Sequence, residues 1–136
     1  MNIWIYENIL EGMKEYNANH SHENYGNTIA PYPTSNTTYP CTFFDEVRNV
    51  ALNGNTCHDA ISSMGYRVDI QAKTKGNVLK QTIARKVAKL MNDYLTRVVG
   101  LKQVSFNVIP QINDNSIYQI TMMYESSFHE NRARFI

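Results

Sequence analysis

The residues of this chain best suited to hold a metal are His20, His22 and Glu23 in His20-Ser21-His22-Glu23, and the adjacent pair Cys57-His58. Imidazole and thiolate are the usual zinc ligands. Their spacing argues against that use: the chain has two cysteines, Cys41 and Cys57, and they lack the short interval of a structural zinc site. A nucleophilic cysteine needs a base and an orienting group beside it. His58 follows Cys57 directly, and successive side chains of an extended segment point to opposite sides. The same alternation separates Asp45 from Glu46, so this carboxylate pair is ill placed for shared acid–base work. Gly54, Gly65, Gly76 and Gly100 do not compose a phosphate-binding loop. The chain therefore reads as a non-enzyme, with no catalytic residue, no metal and no cofactor expected.

Charge offers a second kind of chemistry. The net charge is +1, but it is unevenly spread. Residues 1–60 carry seven carboxylates against Lys14 and Arg48, a net −5, while residues 73–102 carry eight cations against Asp93, a net +7. An acidic end and a basic middle can pair between copies of one chain, or each can be a solvated face. Lys80, Arg85, Lys86 and Lys89 could also contact phosphates, which makes a small nucleic-acid-binding module the main rival from another class. A near-neutral total and the lack of a helix-turn-helix, zinc-finger or aromatic RNA-binding signature weigh against it.

The elements that must carry these residues follow from periodicity. With 136 residues, 43% of them hydrophobic and 18% charged, the chain suits one domain with one modest core, here residues 1–136. No leader peptide is expected from the first residues and no membrane span from the rest. Cys41 and Cys57 are accordingly expected as free thiols in a reducing cytosol, and the sequons at Asn19 and Asn36 carry no weight without export. Ile5, Ile9, Met13 and Tyr16 recur at helical spacing, with Trp4 and Leu10 widening the stripe, which predicts a helix over 2–16. Residues 17–39 turn to Asn, Ser, Thr, Tyr and His with Pro31 and Pro33, the texture of a long polar loop arm. Residues 42–50 suit a strand, with Pro40 tolerable only at its start, and Asn53-Gly54-Asn55 marks a turn.

Met64, Tyr66, Val68, Ile70 and Ala72 alternate with polar neighbours, the period of a half-buried strand. Gly76-Asn77 should open a second helix whose apolar face is Leu79, Ile83, Val87, Leu90, Met91 and Tyr94, with Gly100 as its stop. Val104, Phe106 and Val108 alternate again, 110–115 turns, and Tyr118, Ile120, Met122 and Tyr124 give a last strand. The expected fold is α+β in the order α-β-β-α-β-β: a four-stranded, mainly antiparallel sheet with helices on one face. Residues 128–136 are left as a C-terminal tail.

Four stretches, in their order and spacing, carry a family resemblance: Tyr39-Pro40-Cys41-Thr42-Phe43-Phe44-Asp45-Glu46-Val47; Gly65-Tyr66-Arg67-Val68-Asp69-Ile70-Gln71-Ala72-Lys73; the helix running from Ile83 to Tyr94; and Ile109-Pro110 with Ile117-Tyr118-Gln119-Ile120 and Tyr124-Glu125. Together they resemble the tail-terminator, or tail-completion, proteins of long-tailed bacteriophages, often filed as minor capsid or head–tail joining proteins. The resemblance spans roughly residues 1–127; the polar arm and the tail depart from it. It implies a virion structural protein that forms a homohexameric ring and is a monomer, or a monomer–hexamer mixture, in dilute solution. The ring binds the major tail tube protein, ends polymerisation and offers a surface to the head connector or stopper. DNA would pass through it without sequence-specific binding. Localisation would be the host cytoplasm during assembly and then the head–tail interface. A head-side neck protein is the alternative within the same class. The subunit interface is expected to use acidic Glu7, Glu11 and Glu15, basic Lys80, Arg85, Lys86 and Lys89, and the tail residues Arg132, Arg134 and Phe135.

Overall fold

The computed structural model describes residues 4–34, 37–51, 61–111, 115–129 and 134–135. Helix α1 (Ile5–Asn19) lies three residues later than its apolar stripe predicts, and buries Ile5, Ile9, Leu10 and Met13. Strands β1 (Thr28–Ala30), β2 (Cys41–Ala51) and β3 (Ile61–Ala72) follow, then helix α2 (Lys80–Asp93), β4 (Lys102–Ile109), β5 (Tyr118–His129) and β6 (Arg134–Phe135). The sheet runs β1-β2-β3-β5-β4, with β6 beside the end of β5. Four long antiparallel strands form its body, and β1 joins parallel to β2. The α+β class holds, and the sheet is mixed and six-stranded instead of four-stranded.

Both extra strands come from segments expected to be loop. Over residues 17–30 the polar segment packs into the fold, because Asn17, Asn24 and Asn27 satisfy one another there. Asn17 Nδ2 donates to the Asn27 carbonyl at 2.8 Å, Asn24 Nδ2 to the Asn17 carbonyl at 2.7 Å, and Asn27 Nδ2 to Asn17 Oδ1 at 3.1 Å. Thr42 Oγ1 closes the cluster onto Asn27 Oδ1 at 3.0 Å. An amide side chain both donates and accepts, so several can be buried together without an orphaned group. The result seats β1 against Cys41, Thr42 and Phe43 of β2. In the tail, Phe135 meets Phe128 edge-on at 5.1 Å and Tyr66 at 6.5 Å between ring centroids.

Helix α2 also starts later than expected. Lys75 and Val78 exchange backbone hydrogen bonds at 3.0 and 3.1 Å around Gly76, whose φ of +60° suits a residue without Cβ. The chain therefore turns before it coils, and Leu79, expected on the buried face, stands exposed just outside the helix. Ile83, Val87, Leu90, Met91 and Tyr94 are buried as expected. A π-helical stretch over Tyr94–Val99 follows and stops at Gly100, φ +93°. Both helices pack on one face of the sheet, α1 over β1 and β2, α2 over β3 and β5. Met64, Tyr66, Val68 and Ile70 of β3 and Ile120, Met122 and Tyr124 of β5 fill the space beneath them.

Candidate assembly surfaces

Helix α1 carries mostly carboxylates and helix α2 mostly cations. Glu7, Glu11 and Glu15 project into solvent from α1. Glu11 pairs with Lys14 at 3.6 Å, a contact worth only ~0–1 kcal/mol when exposed. Near the start of α1, Glu7 joins Tyr6, Tyr32, Asp45 and Glu46 around a cleft of about 530 Å³ at the β2 edge. Burial pushes the Tyr6 hydroxyl up to about 12, helped by the charges of Asp45 and Glu46. That hydroxyl donates to the Phe44 carbonyl. Burial also raises the Glu46 carboxyl above its ordinary range. Asp45 and Glu46 do take opposite sides of β2, opposite Arg67 and Tyr66 of β3.

The expected basic patch on α2 is not one patch. Lys86 turns toward the connection after α1, donating to the Tyr25 hydroxyl at 3.1 Å with its ammonium 5.7 Å from that ring. Arg85 turns the other way, donating to the Tyr118 hydroxyl at 3.3 Å and lying 6.0 Å from the Phe106 ring of β4. Lys80 donates to the Asn115 carbonyl, and Lys89 is exposed. Residues at consecutive helix positions are about 100° apart, which is why Arg85 and Lys86 serve different neighbours. Arg132 lies outside the described residues, as does the side chain of Arg134, whose backbone in β6 pairs with His129 of β5. Phe135, expected to reach a neighbouring subunit, packs instead on its own core, because β6 folds back along β5.

The described residues weighed for metal or nucleophilic chemistry find ordinary structural surroundings. His20 Nδ1 is 2.8 Å from the Tyr16 carbonyl, and its ring packs on Tyr16 at 4.1 Å. His22 is exposed at a cleft shared with Glu23, Lys86 and Asp93. Cys41 is buried, which pushes its thiol up to about 11 and keeps it protonated at neutral pH. Cys57 and His58 lie outside the described residues. Among the described residues no three metal-binding side chains come together, and no helix is long and apolar enough to cross a membrane.

Two surfaces escaped the sequence reading. The first is the sheet face away from the helices. Asp69 Oδ1 accepts from Thr121 at 2.6 Å and Gln119 at 3.3 Å, while Asp69 Oδ2 lies 3.0 Å from Arg67 Nε. Further along, Arg48, Gly65, Glu125 and Lys102 stand in one row across four strands. Arg48 bridges β3 to reach Glu125 at 3.2 Å, and a Cβ on Gly65 would come within 3.2 Å of Arg48 Cβ. The polar half of the β3 and β5 alternation signalled this face, although not which residues would meet.

The second is the β4 edge. Phe106 and Val108 register with the buried Met122 and Ile120 of β5, so they belong to the helix side of the sheet. Yet Val104, Phe106 and Val108 are 53%, 42% and 42% exposed, because α2 covers β3 and β5 and stops short of β4. Nothing in the period of a strand says which strand will be last. No protein-family model and no curated protein sequence matches the chain.

Proposed function

We propose that this protein is the tail terminator of a long-tailed bacteriophage: a ring of identical subunits that binds the end of the tail tube, stops its polymerisation and presents the surface to which the head joins. The observation that carries the reading is a coincidence of sequence and fold. Each stretch that resembles the terminator family lies on a main element of the sheet-and-helix body, in β2, β3, α2, β4 and β5. Among the described residues, the segments that depart from the family, residues 17–39 and the tail, contribute the short strands β1 and β6, which pair with β2 and β5.

The charge distribution fits a closed ring. Such rings use heterologous contacts, in which one surface of each subunit meets a different surface of the next. Glu7 and the cleft carboxylates sit at the β2 edge, and Arg85 sits toward the β4 edge. Exposed ion pairs set register, and apolar surface supplies most of the affinity. A terminator that locked before reaching a finished tail would be wasteful, so the isolated protein is expected as a monomer or a monomer–hexamer mixture. The test is polymerisation of the tail tube protein of the cognate phage, with and without this protein. Addition should stop elongation at substoichiometric amounts. Unchanged tube growth at saturating protein would exclude the reading.

A further inference from the structure

We infer that the outer edge of β4 accepts an extended segment of a partner protein as a further strand, and that this segment is acidic and alternately apolar. The inference does not depend on the terminator reading; it needs only the topology and the side chains around this edge. Among the described residues, β4 pairs with β5 on one side and is bordered by no strand on the other. The bulge at Val104 breaks the register between Gln103 and Ser105, and Pro110 brings no N–H. The run able to take a partner is therefore 105–109. In such pairing the main chain supplies affinity and alternate side chains supply specificity.

The two faces of that run prescribe the pattern of its partner. Phe106 and Val108 register with Met122 and Ile120 on the helix side and are half-exposed there. Ser105 and Asn107 register with Met123 and Thr121 on the far side. A strand laid beside them buries apolar residues next to the flank of α2 and carries polar ones at every second position. Arg85 sets the charge. It leans from α2 across the apolar strip, 6.0 Å from the Phe106 ring, and donates to the Tyr118 hydroxyl at 3.3 Å. Among the described residues no carboxylate pairs with it. A carboxylate on the incoming segment gives this guanidinium a charged partner beside apolar surface, where water is thinned and the pairing is strong.

A strand of a second copy fits the edge less well. Two β4 runs laid antiparallel place Phe106 beside Val108 of the other copy, but they also bring both Arg85 side chains to one short junction, where like charges repel. In a ring, the β2-edge carboxylates of the next copy can lie near Arg85, but β2 does not continue the sheet there. On the helix side it presents Glu46 and Asn49, opposite Tyr66 and Met64 of β3, while Val50 lies opposite Ser63 on the far side. It offers polar groups where Phe106 and Val108 need apolar ones.

The probe is a soluble, end-capped peptide that alternates valine with threonine and carries glutamate at one valine position. Titrated into the full chain and followed by amide NMR, it should bind saturably with a Kd of about 0.1–1 mM and move the signals of residues 105–109. Lysine in place of the glutamate should weaken binding about tenfold, and Arg85→Glu, at an exposed position, should reverse that preference. A peptide of the same composition with its valines grouped together should bind about tenfold more weakly, because alternate residues no longer share one face. Phe106→Lys should remove binding, since lysine on an edge blocks strand addition. No saturable binding to the wild type, equal binding of the two charge forms or of the grouped peptide, or shifts centred away from β4 would overturn the inference. Signals of residues 105–109 that move with protein concentration alone would give the edge to a second copy and overturn it as well. Tube capping is read separately: peptide binding by a protein that caps no tube leaves this inference standing and removes the terminator reading.

Discussion

Strands β3 and β4 have the same alternating texture and opposite fates. In β3, Met64, Tyr66, Val68 and Ile70 are wholly buried under the helices, whereas Phe106 and Val108 of β4 point to the same side and remain 42% exposed. Alternation decides which side of a sheet a residue takes, while cover decides whether that side is core. Two helices span the middle of this sheet and leave the last strand bare. The apolar residues of β3 hold the subunit together, and those of β4 stay largely in solvent.

The sharpest way to break that comparison is truncation on neighbouring strands. Met122, fully buried in β5, and Phe106 stand opposite each other in register. Met122→Ala should cost about 2–5 kcal/mol of stability in urea unfolding, the usual range for a buried methionine. Phe106→Ala should change monomer stability by less than about 1 kcal/mol, since exposed positions lie near ±0.5. Equal losses would mean that β4 belongs to the core after all.

A somewhat smaller effect is expected where α1 meets the π-helical stretch. A Cβ added at Gly12 would collide with the Tyr94 hydroxyl, so the two elements can approach only because this residue has no side chain. Gly12→Ala should destabilise the subunit by roughly 1–3 kcal/mol, the range for overpacking, despite alanine's better helix propensity. A stabilised variant would show that α1 does not sit this close.

Alkaline pH separates the buried sheet from its exposed edge in another way. The Cys41 thiol moves from 9.0 to about 11, and the Tyr6 hydroxyl from 10.0 to about 12. Both are raised, so the fold favours the protonated forms. Their contribution is intact below the unfolded values and is lost as pH climbs, through 9–11 for Cys41 and 10–12 for Tyr6. Unfolding free energy should fall above pH 9, and Cys41→Ala should flatten the first part of that slope. An unchanged slope in the variant would remove Cys41 from the explanation.

The smallest effect concerns Tyr66. Its ring is buried against Phe44 at 5.3 Å, but among the described residues its hydroxyl has no hydrogen-bond partner. A buried polar group without a partner costs about 1–3 kcal/mol. Tyr66→Phe should therefore leave stability unchanged or raise it by about 1 kcal/mol. A loss would reveal a partner for that hydroxyl in solution.

The body of the fold was legible in the residues. The alternation of β3 and β5 and the stop at Gly100 stand where their periods put them, and the middle of each helix stripe is buried, although both helices begin later than expected and leave Trp4 and Leu79 exposed. What was not legible depends on partners distant in sequence. Asn17, Asn24 and Asn27 look like loop residues until Thr42 and their own backbone close around them. Phe135 looks like a loose apolar tip until Phe128 and Tyr66 are seen beneath it. Arg85 and Lys86 look like one patch until their separate aromatic neighbours are known. Exposure of the β4 edge depends on which strand ends the sheet, a property of topology that no local pattern encodes.

Electron microscopy of tail tubes of the cognate phage incubated with the purified protein tests the central proposal most directly. A sixfold ring seated at one end of each tube is the expected result. Bare ends with the wild-type protein, or density scattered along the length of the tube, would contradict it.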